Sequence, residues 1–410
     1  MHDLSESYKK ELKKIGDPLY LSSDIGYPTG FLAIDFRNGR QATGLKPNGE
    51  LYNYNILGIA DGSTNIIIGR SGCGKSTLAT QIAGNIIRPF IDKGGLILED
   101  LVEVGMLTER KIELLKFDMD TFDSCYRGRN EGITAENFFT RLKTIANLKI
   151  SNPDKFQYDT GHFDRMGNPI IKYVPTVYIL DSLAYLLPEN FASEDDLTGG
   201  YAATSAAKTN TGIFKRVIPV CKKANIILIL INHILEDISA TPKKASLPYL
   251  KPGETLPGGR TANYSASNMF RINDGGKLVE GESKGEGNYD IDGNVADFEI
   301  VKTRTNKSGK SVPLLFNQEI GFDYEMSLLT LFKKNKVLNG GGRSFYIGDR
   351  KEVTFSQKDF KNKFRTDPVL QRIAIEEALT ILRPYIKENE SLEIASPPVS
   401  DTMSLLSLIG

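Results

Sequence analysis

Four short apolar runs frame this chain. They are Ile66-Ile67-Ile68, Leu96–Leu98, the stretch VPTVYILD that ends at Asp181, and Ile226–Ile231. Runs of this length without alternation are what strands buried on both faces require. After the first run the period changes: Leu78, Ile82, Ala83, Ile86 and Ile87 keep helical spacing. Such strands separated by helices predict an α/β fold with a mostly parallel, doubly wound sheet. Residues 3–15 read as a short basic helix with Leu4, Tyr8 and Leu12 on one face. Asn152–Thr176, with Gly161 and Gly167 among polar and aromatic residues, reads as an inserted hairpin. From 388 to 410, two prolines and several serines precede the apolar MSLLSLIG. That is linker composition followed by a peptide of the kind that docks on a partner.

Composition narrows the class. In 410 residues, 51 basic side chains balance 51 acidic ones, so any nucleic-acid binding must come from local patches. No run of about 18 apolar residues occurs, which excludes a membrane helix, and the first residues lack the apolar stretch of a secretory signal. Cys73, Cys125 and Cys221 are scattered without metal spacing, which points to a reducing compartment, the cytoplasm.

The chemistry starts at Gly69. Gly69-Arg70-Ser71-Gly72-Cys73-Gly74-Lys75-Ser76, with Thr77 after it, meets every fixed position of G-x-x-x-x-G-K-[ST] between a strand and a helix. Glycines there let backbone N–H groups converge on an anion, and the helix N-terminus adds its positive end. Lys75 is expected on the β- and γ-phosphates of ATP and Ser76 on Mg²⁺. Cys73 fills a position that tolerates almost any side chain. Asp181, at the end of its strand, is the second metal residue, acting through water. After the Leu96–Leu98 strand, Glu99 and Glu103 compete as the carboxylate that orients the attacking water; spacing alone does not separate them. Asn232-His233 ends the fourth strand, where ligands bind in such sheets, so His233 is expected to sense the γ-phosphate.

Taken in order, these motifs resemble the RecA-type strand-exchange recombinases, closest to the bacteriophage T4-type branch. Thr29-Gly30-Phe31-Leu32-Ala33-Ile34-Asp35 matches that family's opening motif, and LPGGRTANYSASNMFRI its Gly-Gly segment. FEIVKTRTNKSGKSVPLLF looks like its paired-basic hairpin, with Lys302 and Arg304 at the matching positions. GFDYEMSLLTLF, an aromatic-containing turn at Phe345-Tyr346 and a helix over Pro368–Ile386 complete a likeness spanning roughly 25 to 387. The resemblance implies a RecA-like ATPase core at 51–335 and an N-terminal helix and lead-in at 1–50. A small C-terminal subdomain at 336–387 and a flexible tail at 388–410 follow.

It further implies a DNA-dependent ATPase that polymerises as a homo-oligomeric filament on single-stranded DNA and exchanges strands with a duplex. Single-strand-binding and mediator proteins would be its partners, and a phage-encoded chain would work in the host cytoplasm. Lys302 and Arg304 would reach the γ-phosphate held by a neighbouring subunit. Two loops, about 189–204 and 234–258, would bind DNA; both are rich in Gly, Ser, Thr, Pro and Asp without hydrophobic period. Lys208, Lys243, Lys244, Lys251 and Arg260 are the candidate backbone contacts and Tyr249 a stacking ring. Glu194, Asp195, Asp196, Glu236, Asp237 and Glu254 oppose them. No aromatic platform for adenine is evident; Arg110 is the candidate substitute. A replicative helicase shares this core, and an ATP-binding scaffold without a DNA role is the reading from another class.

Overall fold

The computed structural model describes residues 25–189, 200–236, 247–257, 260–279, 291–341 and 344–386. The helix at 3–15, the acidic residues 194–196, Lys243, Lys244, the Gly258-Gly259 pair and the tail from 388 lie outside them.

The four apolar runs become central strands: β1 (Thr64–Gly69), β2 (Leu96–Leu101), β4 (Thr176–Asp181) and β5 (Ile226–His233), with β3 (Tyr126–Arg129) at one edge. Four more strands follow: β6 (Asn268–Val279), β7 (Ile291–Thr303), β8 (Lys310–Asn317) and β9 (Gly321–Asp323). Among the described residues they form one nine-stranded sheet in the order β9-β8-β7-β6-β1-β5-β4-β2-β3. The strands from β3 to β6 are parallel; β7, β8 and β9 are added antiparallel. The sheet is thus mostly parallel, as the uninterrupted apolar runs predict.

Successive side chains of a strand leave on opposite faces, and the core divides accordingly. Ile67, Ile97, Val177, Ile179 and Ile229 pack with Leu78, Ile82 and Ile86 of α1 (Lys75–Ile87). Ile66, Ile68, Leu98, Tyr178 and Leu228 pack on the other face with α3 (Ala135–Ile150) and α4 (Gly200–Ala224). Helices α6 (Tyr324–Lys334), α7 (Phe360–Thr366) and α8 (Pro368–Leu382) make a third apolar cluster, which also takes in Leu32, Phe36 and Leu57. The lead-in braces α1 directly: Asn85 on that helix donates to the Thr29 carbonyl at 2.7 Å. Thr29 in turn holds the buried Asp35 through its N–H and hydroxyl, at 2.8 and 2.6 Å. No helix among the described residues is long and apolar enough to cross a membrane.

Several expectations need correction or detail. The 152–176 insertion does contain a hairpin, Gln157–Phe163 with Pro169–Tyr173, and it packs on a second one, Arg40–Leu45 with Leu51–Ile56. Phe345 and Tyr346 are not in a turn; they lie in a strand, Ser344–Ile347, paired with Leu338–Gly341. The first loop ends early, because Gly200–Thr204 already belong to α4. Nor is 234–258 uniformly loop: Ile234, Leu247 and Leu250 are buried against the second core cluster. Three apolar residues spread over that length show no period, so periodicity could not reveal them.

One buried cation sets a stability test. Lys149 is 2% exposed and donates to the carbonyls of Val174 and Ala224, at 2.6 and 3.2 Å. Burial pulls its ammonium from the ordinary 10.5 down to about 7. Between those values the unfolded chain binds the extra proton, so this group makes stability rise with pH over that window. Lys149→Met should flatten the slope of the urea midpoint against pH from about 7 to 10. Parallel curves for the two proteins would reject this account.

Candidate nucleotide site

Residues 70–74 join β1 to α1 and end at Gly74, in the left-handed region at φ 87°. A Cβ at Gly74 would lie 3.0 Å from the Phe322 ring and 3.1 Å from that of Phe316, so both backbone and space require glycine. Gly72 also has a positive φ, 75°, although nothing crowds it. Lys75 is 5% exposed, and its ammonium closes across the loop to the Arg70 carbonyl at 2.7 Å. Burial lowers its proton affinity, while nearby Cys73, Asp181 and Glu103 act the other way. Thr77, on the first turn of α1, packs under Gly321 of β9.

The ends of the neighbouring strands bring the other candidates in. The Ser76 hydroxyl donates to Asp181 at 2.5 Å. Burial raises the carboxyl pKa of Asp181; Glu103 and Glu99 add to the rise, and Ser76 and Lys75 oppose it. His233 stands level with Gly69 in the β5–β1 register. Its Nε2 is 2.9 Å from Glu103, which also accepts from the Ser182 hydroxyl. Glu103 keeps 30% of its side chain exposed.

Glu99 sits elsewhere. Its side chain is 2% exposed and one oxygen takes both the Lys111 ammonium, from α2 (Thr108–Leu115), and the Tyr126 hydroxyl. Asp100, on the other face of β2, is saturated by Arg129, Arg141 and Tyr178. Of the two competing carboxylates, both are felt by Asp181, but only Glu103 meets His233, while Glu99 is taken up by Lys111 and Tyr126.

Lys302 and Arg304 do not join this cluster. Lys302 is level with Met269 and Ile66, three residues before Gly69 in the register, and Arg304 lies beyond it on the far side. Three residues of strand are about 10 Å, directed away from the phosphate loop. Their heads bind carbonyls of α5 (Arg260–Ser265): Lys302 to Asn263 and Tyr264 at 2.7 and 2.9 Å, Arg304 to Tyr264 at 3.0 Å. Lys208 falls on α4 and Arg260 opens α5. Tyr249 is half-buried, one part of it packed against the second core cluster. Arg110 donates to the carbonyls of Gln318 and Glu319 and is no base platform.

Two features escaped sequence reasoning. Phe316, half-buried at the end of β8, lies against the phosphate loop, although some 240 residues of chain separate them. Arg271 and Glu254 form a buried two-pronged pair beside that loop. An aromatic closing the apolar run VPLLF was the one visible sign of the first; the second left none.

No family model matches the chain. It is similar to the energy-coupling factor transporter ATP-binding protein EcfA2 of Clostridium acetobutylicum, at 26% identity over 211 residues, 48% of this chain and 69% of that protein.

Proposed function

We propose that the chain is a RecA-type, DNA-dependent ATPase that assembles on single-stranded DNA and pairs homologous strands. The observation that carries the reading is the convergence of Lys75, Ser76, Asp181, Glu103 and His233 at the ends of adjacent parallel strands. The likeness to an ATP-binding protein supports the nucleotide part. The DNA part rests on the ordered motifs and on Lys302 and Arg304, whose position points them away from their own phosphate loop.

In this reading the phosphate-loop amides and Lys75 hold the β- and γ-phosphates, and Phe316 offers an aromatic face to the base. Glu103 accepts a proton from the water that attacks the γ-phosphorus in line as the bond to the β-phosphate oxygen breaks. His233 fixes the Glu103 carboxylate and lies where a γ-phosphate oxygen would be felt. The donor set fits Mg²⁺: a hydroxyl and a carboxylate already in contact, the carboxylate raised in pKa by burial and by two acidic neighbours. When bound, the ion would neutralise charge developing on the phosphates.

The second reading, an ATP-binding protein with no DNA role, is favoured by the likeness to a transporter's ATP-binding protein and by the balanced charge. ATP hydrolysis measured against single-stranded DNA, duplex DNA and salt separates them, with Lys75→Ala as the control. A rate that climbs cooperatively with single-stranded DNA is expected. Turnover indifferent to DNA would leave the second reading standing.

A further inference from the structure

A cavity of about 340 Å³ opens beside the phosphate loop, with Arg70, Lys251, Arg271 and Phe316 among its walls. Two of its three cations are matched. Arg70 pairs with Glu236, and Arg271 makes two bonds of 2.7 Å to Glu254. Among the described residues no carboxylate lies within ion-pair distance of the Lys251 ammonium. Among the described residues the wall thus carries one ammonium outside any ion pair, its charge felt only at longer range by the Glu254 carboxylate.

Lys251 is also held in place. Its N–H donates to Glu254 at 2.7 Å and its carbonyl accepts from the Glu254 N–H at 3.0 Å, closing a turn through Gly253. Glu254 is 5% exposed and locked to Arg271, which precedes Ile272, the residue level with Gly69. The turn thus reaches the first glycine of the phosphate loop through one buried ion pair. The other arm of the segment is tied there too, since Glu236 pairs with Glu254 in a short ladder and with Arg70.

We propose that Lys251 is a phosphate ligand of the bound nucleotide, carried on the segment that the family resemblance would give to DNA. This rests on the nucleotide-site reading and adds a contact to it. An ammonium on a fixed turn beside an anion site supplies a point charge for a phosphate oxygen. Nucleotide occupancy is then felt at the end of the 234–258 segment through a direct contact.

The test is binding of a fluorescent ATP analogue to DNA-free protein, with wild type, Lys251→Ala, Lys251→Arg and Lys75→Ala compared. Salt dependence of single-stranded DNA binding is measured on the same proteins. Lys251→Ala should bind the analogue about tenfold more weakly, as loss of one charge-assisted contact implies. Lys251→Arg should restore most of that affinity, and the salt slope should stay at the wild-type value. Unchanged affinity in Lys251→Ala overturns the proposal, and a salt slope smaller by about one would return Lys251 to the DNA backbone. If Lys75→Ala also binds the analogue like wild type, the nucleotide-site reading fails, and the proposal with it. Loss in Lys75→Ala alone sinks only the Lys251 contact.

Discussion

Replacing Glu103 with Gln should slow ATP turnover by about 10²–10⁴-fold, the range a positioned general base supplies. The fold should be left intact, because the side chain is 30% exposed and Gln can still meet Ser182 and His233. Glu99→Gln should do the opposite. The Lys111 ammonium, 6% exposed, would lose its only carboxylate among the described residues, and stranding a buried charge costs about 3–5 kcal/mol. Urea unfolding would register that loss, and Glu99→Gln with Lys111→Met should recover most of it. Residual turnover per folded molecule should stay near wild type in Glu99→Gln. A dead but fully stable Glu99→Gln enzyme, beside an active Glu103→Gln one, would reverse the assignment.

This contrast also marks how far the sequence could be read. Strand positions were legible because a fully buried parallel strand needs an uninterrupted apolar run, and β1, β4 and β5 have one. Asp181 and His233 were legible because the C-terminal ends of parallel strands lie at the same end of the sheet as the phosphate loop. The choice between Glu99 and Glu103 was not. It depends on Lys111, a helix residue, and on Tyr126, a residue of the edge strand, whose meeting with Glu99 only the folded sheet creates. Phe316 and the Arg271–Glu254 pair were hidden for the same reason, since each meets the loop across strands far apart in the chain. The buried Leu247 and Leu250 lacked any period to betray them.

Single replacements Lys302→Ala and Arg304→Ala should each lower DNA-stimulated hydrolysis by about 10³-fold or more, as loss of an arginine-finger type contact does. Turnover without DNA and nucleotide binding by the isolated subunit should barely change, because neither side chain belongs to the protomer's own phosphate site. The register makes this prediction specific. Both residues stand beside the early part of β1 and hold the end of α5, so in the proposed filament a γ-phosphate within their reach would belong to another copy. Subunit mixing distinguishes the two geometries. Lys75→Ala lacks a working phosphate loop but keeps its basic pair, and Lys302→Ala has the reverse. Mixed in equal amounts, they should recover about a quarter of the wild-type DNA-stimulated rate, since random head-to-tail assembly pairs an intact loop with an intact lysine at that share of interfaces. If both residues served their own nucleotide, the mixture would stay as inactive as its parts. In that event the carbonyl contacts to Asn263 and Tyr264 would be their whole role, a cationic cap on the end of α5.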